Sequence, residues 1–321
     1  MVRNKVVDIG LLYDIRNVAG RHQPSIPYDE AVTRFLRHGE AKALSESTIW
    51  SYEKELGRFR LSLLEQGAPI NDIKAIRIEH YEYFVANMRK NNYANSTINQ
   101  RLLTVKIFGN YCVRQRLLIV NLASEIPQLK VRKRVGDTFS KPQLKRLLDS
   151  PDVTKFEGLR DLTIMMMLAD TGIRLSELAA IKIRDIVFAD NALNVQRTKN
   201  RYARRMPLTK RLAEILRLYL IVRGDDDRNG LLFVKSDDTG ITHVTIQFQI
   251  REHGRRSGVI KEVQCSPHVF RRSFAKFKIK AGVDVFTLQA LMGHSDISEL
   301  RNYIAIYSTD LDDAIEKGIE Y

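Results

Sequence analysis

Between Pro127 and Asp137 the chain reads PQLKVRKRVGD, with four basic side chains, a proline, a glycine and no apolar period. Helical periodicity is found on both sides of it, so this stretch predicts two folding units joined by a basic linker. Ahead of it, Ile49, Tyr52, Leu56, Phe59 and Leu63 recur at spacings of three and four. Ser45 and Ser47 stand before them as capping types and Gly67 after them as a stop, which predicts an amphipathic helix. Ile78, Tyr81, Val85 and Met88 mark a second helix, and Ile98, Leu102, Val105 and Phe108 a third that starts near Ser96. With another near Tyr28 to His38, residues 26–126 are expected to form a compact all-helical domain. A loosely ordered arm over residues 1–25 precedes it.

Beyond the linker the pattern is mixed. Leu159 to Ala169 is a strongly apolar helix closed by Gly172, and Arg174 to Ile181 reads as a short one. Ile186–Phe188 and Leu193–Gln196 are β-type runs separated by the turn pair Asp190-Asn191. A third run near Arg205–Leu208 completes a small antiparallel sheet. Helices are expected again at Leu212–Val222, Val244–Gly254, Pro267–Ala281, Val285–Met292 and Ile297–Tyr307. The fold class is therefore mainly α, an all-helical first domain and a mostly helical α+β second one.

Lys and Arg number 52 against 38 Asp and Glu, a net charge of +14, which favours an anionic partner. No run approaches the roughly 18–20 apolar residues that span a bilayer. The opening residues MVRNKVVD lack a signal-peptide apolar region. Nucleic acid is thus preferred over a membrane. Cys112 and Cys265 are too few and too far apart for a disulfide scaffold, which suits a reducing cytoplasm.

Singly, the candidate chemical residues are ambiguous. Arg174 follows a helix stop and is either an exposed cap-region charge or a planar guanidinium reaching an anion. Glu177, three residues on, shares its helical face and either orients it or answers the helix dipole. Residues 195–211 hold seven Lys or Arg and no acid. Such a hairpin is a solvated face or a phosphate-contacting element, with Lys199 as a candidate proton donor. His268 and Arg271 open a helix behind Ser266 and Pro267, where free N–H groups attract phosphate. His294 follows Gly293 and by itself reads as structural. Cys265 and His268 supply half a zinc site at most, no second close pair exists, and nucleotide-binding glycine loops are absent. No metal or cofactor is expected.

In order, the chain presents TGIRLSEL, the basic hairpin, HVFR, LMGHSD and then Tyr303, nine residues beyond His294. This succession resembles the tyrosine recombinase (phage integrase) family, and STIWSYEKELGRF and STINQRLLTVKIF resemble helices of its N-terminal core-binding domain. The resemblance covers nearly the whole chain, which in plan is closer to the Xer-like and simple transposon or integron types than to lambda-type integrases. It implies a core-binding (SAM-like) domain over 26–126, a catalytic domain over 138–307, and a C-terminal helix over 308–321. Leu311, Ala314, Ile315 and Ile319 give that tail its helical spacing, for docking on its own domain or on a neighbouring protomer.

The resemblance further implies a catalytic set of Arg174, Lys199, His268, Arg271, His294 and Tyr303, supported by Glu177. Arg132, Lys133 and Arg134 in the linker and Arg201, Arg204 and Arg205 in the hairpin would contact DNA. The implied activity is metal- and ATP-independent strand transfer through a 3′-phosphotyrosine. Its partners would be double-stranded DNA with inverted-repeat core sites, a homotetramer spanning two sites, and accessory directionality proteins, in the cytoplasm at the nucleoid. Arg272 stands where many members have His, Glu299-Leu300 replaces a frequent Thr-Thr, and Lys199 aligns only when the hairpin is anchored on Pro207. These departures point to a mobile-element enzyme, with an Xer-type dimer resolvase as the alternative. A type IB topoisomerase and a non-catalytic DNA-binding protein are the more distant readings.

Overall fold

The computed structural model describes residues 25–131, 136–196, 203–224 and 227–293. The chain falls into two compact units, residues 1–133 and 134–321.

In the first unit, helices α1 (Tyr28–Ala41), α2 (Glu46–Glu65), α3 (Ile78–Lys90) and α4 (Asn95–Arg114) enclose one apolar core. Helix α2 begins where Ser45 accepts a hydrogen bond from the Thr48 amide at 3.3 Å, and the chain turns at Gly67 with φ +63°. Leu56, Phe59 and Leu63 of α2 and Ile98, Leu102 and Val105 of α4 are buried, each such side chain contributing about 1.5–3 kcal/mol by leaving water. Tyr28 packs edge-on against Phe59 and Phe108, and its hydroxyl donates to the Leu56 carbonyl at 2.9 Å, so its polar end is satisfied inside the core.

The second unit is built around α6 (Phe156–Thr171), preceded by α5 (Lys141–Leu148). Ile164, Met165, Met166, Met167 and Leu168 of α6 are all buried, as expected of a helix surrounded by others. It ends at Gly172, which has φ +59° and lies against Phe274. Next come α7 (Leu175–Leu178), β1 (Ile186–Val187), β2 (Ala192–Val195) and β3 (Arg204–Pro207). The strands form an antiparallel sheet in the order β1-β2-β3, with Leu193 opposite both Ile186 and Met206. Two expected elements are shorter than their apolar runs. Phe188–Asp190 is a 3₁₀ turn leading to Asn191 in the left-handed region, and only Leu175–Leu178 of the Arg174–Ile181 stretch is helical. Helices α8 (Lys210–Arg223), α9 (His243–Arg256), α10 (Pro267–Lys280) and α11 (Val285–Met292) complete the described part. The helix expected over 297–307, the tail over 308–321 and the arm over 1–24 lie outside the described residues.

One polar cluster inside this unit has no counterpart in the sequence reading. Arg160 grips the Asp161 carboxylate through Nε and Nη2 at 3.0 and 2.8 Å and donates from Nη1 to the Val234 carbonyl at 3.2 Å. His253 of α9 meets the other Asp161 oxygen at 3.2 Å and Ser150 Oγ at 3.1 Å. Each partner satisfies another away from water, which ties α6 to α9.

Candidate active site

Arg174 is the residue before α7, placed there because Gly172 lets the chain leave α6 in a left-handed turn. Its backbone N–H donates to Glu177 Oε2 at 3.2 Å and its Nη1 to Oε1 at 3.1 Å. Glu177 is fully enclosed, and a second guanidinium also reaches it. Arg204 of β3 donates from Nη1 to Oε1 at 3.1 Å and from Nη2 to Oε2 at 2.7 Å. Burial pushes the Glu177 carboxyl upward. Hydrogen bonding and charge from Arg204, with a smaller share from Arg174, outweigh that and hold it below its ordinary value.

Arg271 lies in the second turn of α10, buried, and donates from Nη1 to the Gly172 carbonyl at 2.6 Å and from Nη2 to the Met292 carbonyl at 2.9 Å. It therefore fastens together the turn before Arg174 and the C-terminal end of α11, two residues before His294. A cation is also favoured there by the carbonyl end of the helix. His268 is exposed in the first turn of α10.

Arg174, His268 and Arg271 line one cleft of about 480 Å³. His243, Gln247 and Arg272 line it as well. The first turns of α9, at His243, and of α10, at Pro267 and His268, both border the space. The positive ends of two helix dipoles thus accompany the cations, an arrangement suited to a phosphate. Arg272 is steadied by donating from Nε to the Asp137 carbonyl at 2.9 Å. No motif in the sequence marks His243 or Gln247. The signal for their position was Thr242, whose side chain caps α9 by accepting from the Thr245 amide.

The basic hairpin candidates separate. Arg205 is exposed and pairs with Asp190 at 3.0 Å. Arg204, expected to contact DNA, turns inward instead, with 11% of its side chain exposed, because the buried Glu177 carboxylate draws it. Arg132, Lys133, Arg134, Lys199, Arg201, His294 and Tyr303 lie outside the described residues. Among the described residues no group of three His, Cys, Asp or Glu is placed to hold a metal ion, and no helix is long and apolar enough to cross a membrane.

Residues 137–309 match the phage integrase family, and residues 32–116 match the phage integrase N-terminal SAM-like domain. The chain belongs to the phage integrase family. Its enzymatic class is that of the tyrosine recombinases. Curated relatives include tyrosine recombinase XerC of Chlamydia pneumoniae, 27% identical over 287 residues that cover 83% of this chain and 90% of the relative. Tyrosine recombinase XerA of Pyrococcus furiosus is 28% identical over 295 residues, covering 90% and 94% respectively. The fold of this phage integrase family member is shared with solved structures. The XerH recombinase bound to a palindromic difH substrate aligns with a TM-score of 0.71 at 17% identity, over 92% of this chain and 98% of that one. The Tn1549 transposon integrase in complex with a circular intermediate DNA aligns with a TM-score of 0.70 at 17% identity, over 92% and 100%.

Proposed function

We propose that this protein recombines specific DNA sites by cutting and rejoining strands through a covalent 3′-phosphotyrosine, with Tyr303 as nucleophile. The observation that carries the reading is the convergence of Arg174, His268 and Arg271 on one cleft bordered by two helix N-termini. The Tyr303 oxygen attacks phosphorus as the bond to the 5′ oxygen breaks. His268 accepts the phenolic proton and Lys199 gives one to the departing 5′ oxygen. Negative charge gathers on the non-bridging oxygens, where Arg174 and Arg271 supply preorganised positive charge and His294 a hydrogen bond. A 5′-hydroxyl from another strand reverses the step, with the bond energy kept in the phosphotyrosine, so neither nucleotide nor metal is required.

The partner is double-stranded DNA with inverted-repeat sites, consistent with the net charge of +14. Exposed cations such as Arg205, and the linker residues Arg132, Lys133 and Arg134, are proposed to meet its backbone. The active assembly is a homotetramer on two sites, with accessory proteins setting direction. The departures at Arg272 and Glu299-Leu300 favour a mobile element over a dimer resolvase.

The test uses a pool of nicked duplexes with a randomised core, captured as detergent-resistant protein–DNA adducts. The wild-type protein should enrich a defined sequence, and Tyr303→Phe should bind that duplex with little change while forming no adduct. Adduct formation by Tyr303→Phe would move the nucleophile elsewhere, Tyr307 being next in line.

A further inference from the structure

Two arginines compete for one buried carboxylate beside the cleft. The Glu177 side chain is 1% exposed, and its two oxygens receive four donors: the Arg174 amide, Arg174 Nη1, and Nη1 and Nη2 of Arg204. That satisfies an ionised carboxylate. Because Arg204 takes both oxygens in a planar fork, Arg174 gives Glu177 only one guanidinium nitrogen. Among the described residues Nε and Nη2 of Arg174 make no hydrogen bond, and its side chain is 21% exposed on the cleft.

Arg204 has a second attachment. Its Nε donates to the Leu291 carbonyl at 3.2 Å, and its guanidinium lies so close to Gly293 that a Cβ there would stand 2.6 Å from Nη1. Gly293 also has φ +62°, which disfavours a side chain at that point, and an added Cβ would push the guanidinium aside. One guanidinium therefore joins β3, the Glu177 carboxylate and the end of α11.

Resting on the recombinase reading above, we infer that Arg204 is a positioning residue: by saturating Glu177 it leaves the outer edge of Arg174 free for the scissile phosphate. Without the fork, Glu177 would be a buried carboxylate short of donors, and Arg174 is the nearest group able to supply them. It would rotate inward and leave the cleft. A lysine at 204 keeps the charge but offers a point donor in place of the planar pair.

The test compares wild type, Arg204→Lys, Glu177→Gln and their double variant, with Arg146→Gln on α5 as a control away from the cleft. The Nε–H signal of Arg174 is read in nitrogen-15 spectra of the protein without DNA, assigned by its loss in Arg174→Lys. Arg204→Lys should shift that signal, and Gly293→Ala, which crowds the same guanidinium from the α11 side, should shift it too. On the nicked duplex enriched by wild type, at saturating DNA, Arg204→Lys should slow adduct formation on the order of a hundred-fold. Its Kd should change less than about threefold, since phosphate contacts made elsewhere carry the affinity. The double variant should be no slower than its slower single parent, because both changes disable one unit.

An unmoved Arg174 signal overturns the inference. So does a weakened Kd with a shallower salt dependence and unchanged cleavage at saturation, which would make Arg204 a phosphate contact. Independent, multiplying losses in the double variant overturn it as well. Absence of any wild-type adduct sinks the recombinase reading instead, and the Arg174 signal then decides the role of Arg204 by itself.

Discussion

Arg271 donates to the Gly172 carbonyl at 2.6 Å, which binds the second turn of α10 to the residue two places before Arg174. Arg271 is held by Gly172 on one side and by Met292 on the other, so its planar group is oriented before any ligand arrives. A lysine cannot serve both carbonyls with a fork. Arg271→Lys should lower the rate of adduct formation by about 10²–10³-fold, the usual loss for one transition-state donor. The lost internal hydrogen bonds should lower stability by about 1–3 kcal/mol. Single-turnover cleavage and urea melts measure the two separately, and an unchanged cleavage rate would remove Arg271 from the phosphate site.

Gly172 carries two constraints at once. An alanine there would pay about 1–2 kcal/mol for the left-handed backbone at φ +59°. Its Cβ would also lie 2.5 Å from Phe274 Cδ1, adding overpacking of about 1–3 kcal/mol. Combining Gly172→Ala with Phe274→Leu should recover only the second part, so the double variant stays less stable than Phe274→Leu alone. Equal urea midpoints for those two proteins would show that the backbone conformation is not the constraint.

Asp161 and His253 meet at 3.2 Å inside the second unit, with Arg160 on the other carboxylate oxygen. Asp161→Asn leaves the Arg160 guanidinium buried without its counter-charge. That should cost about 3–5 kcal/mol. The exposed pair Arg146–Glu262 supplies the contrast, since Glu262→Gln should cost less than about 1 kcal/mol. Chemical denaturation of the two variants at neutral pH tests the difference. Comparable losses would mean that the cluster contributes no more than a surface pair.

The carboxyl of Glu177 is held below its ordinary value of 4.5, with burial opposing and Arg204 and Arg174 prevailing. The sign follows from which state takes the proton first. Above about pH 5 both folded and unfolded chains carry the ionised group, and its stabilisation is complete. As the pH falls through the ordinary value the unfolded chain is protonated first, so stability is lost until the folded group is protonated too. The stability difference between wild type and Glu177→Gln should therefore be flat above about pH 5 and shrink below it. A difference that does not change with pH would show that Glu177 is not ionised against the two arginines.

Much of the architecture was legible because helices announce themselves locally. The spacing of Leu56, Phe59 and Leu63, capped by Ser45 and stopped at Gly67, specifies α2 without reference to any other segment. The run Ile164–Leu168, buried on every side, is apolar enough to name the central helix of the second unit. Ile186 and Leu193 were likewise legible as facing strands, whereas Phe188 was not separable from β1, since the turn is set by the left-handed Asn191. At the site, the order of Arg174, His268 and Arg271 could be read from their motifs, and so could the pairing of Arg174 with Glu177 three residues away.

Other contacts link residues distant in sequence. Arg204 reaches Glu177 across 27 positions and Leu291 across 87, and His253 reaches Asp161 across 92. No local pattern marks such a partner, and in the chain Arg204 was one more cation in a basic hairpin. Capping and periodicity act within a few residues, so the helices, the small sheet and the succession of charged motifs could be read from the chain alone. Tertiary structure decided which cations face the cleft and which turn inward. A buried carboxylate must recruit its donors from whatever the fold brings near, and here it recruited Arg204.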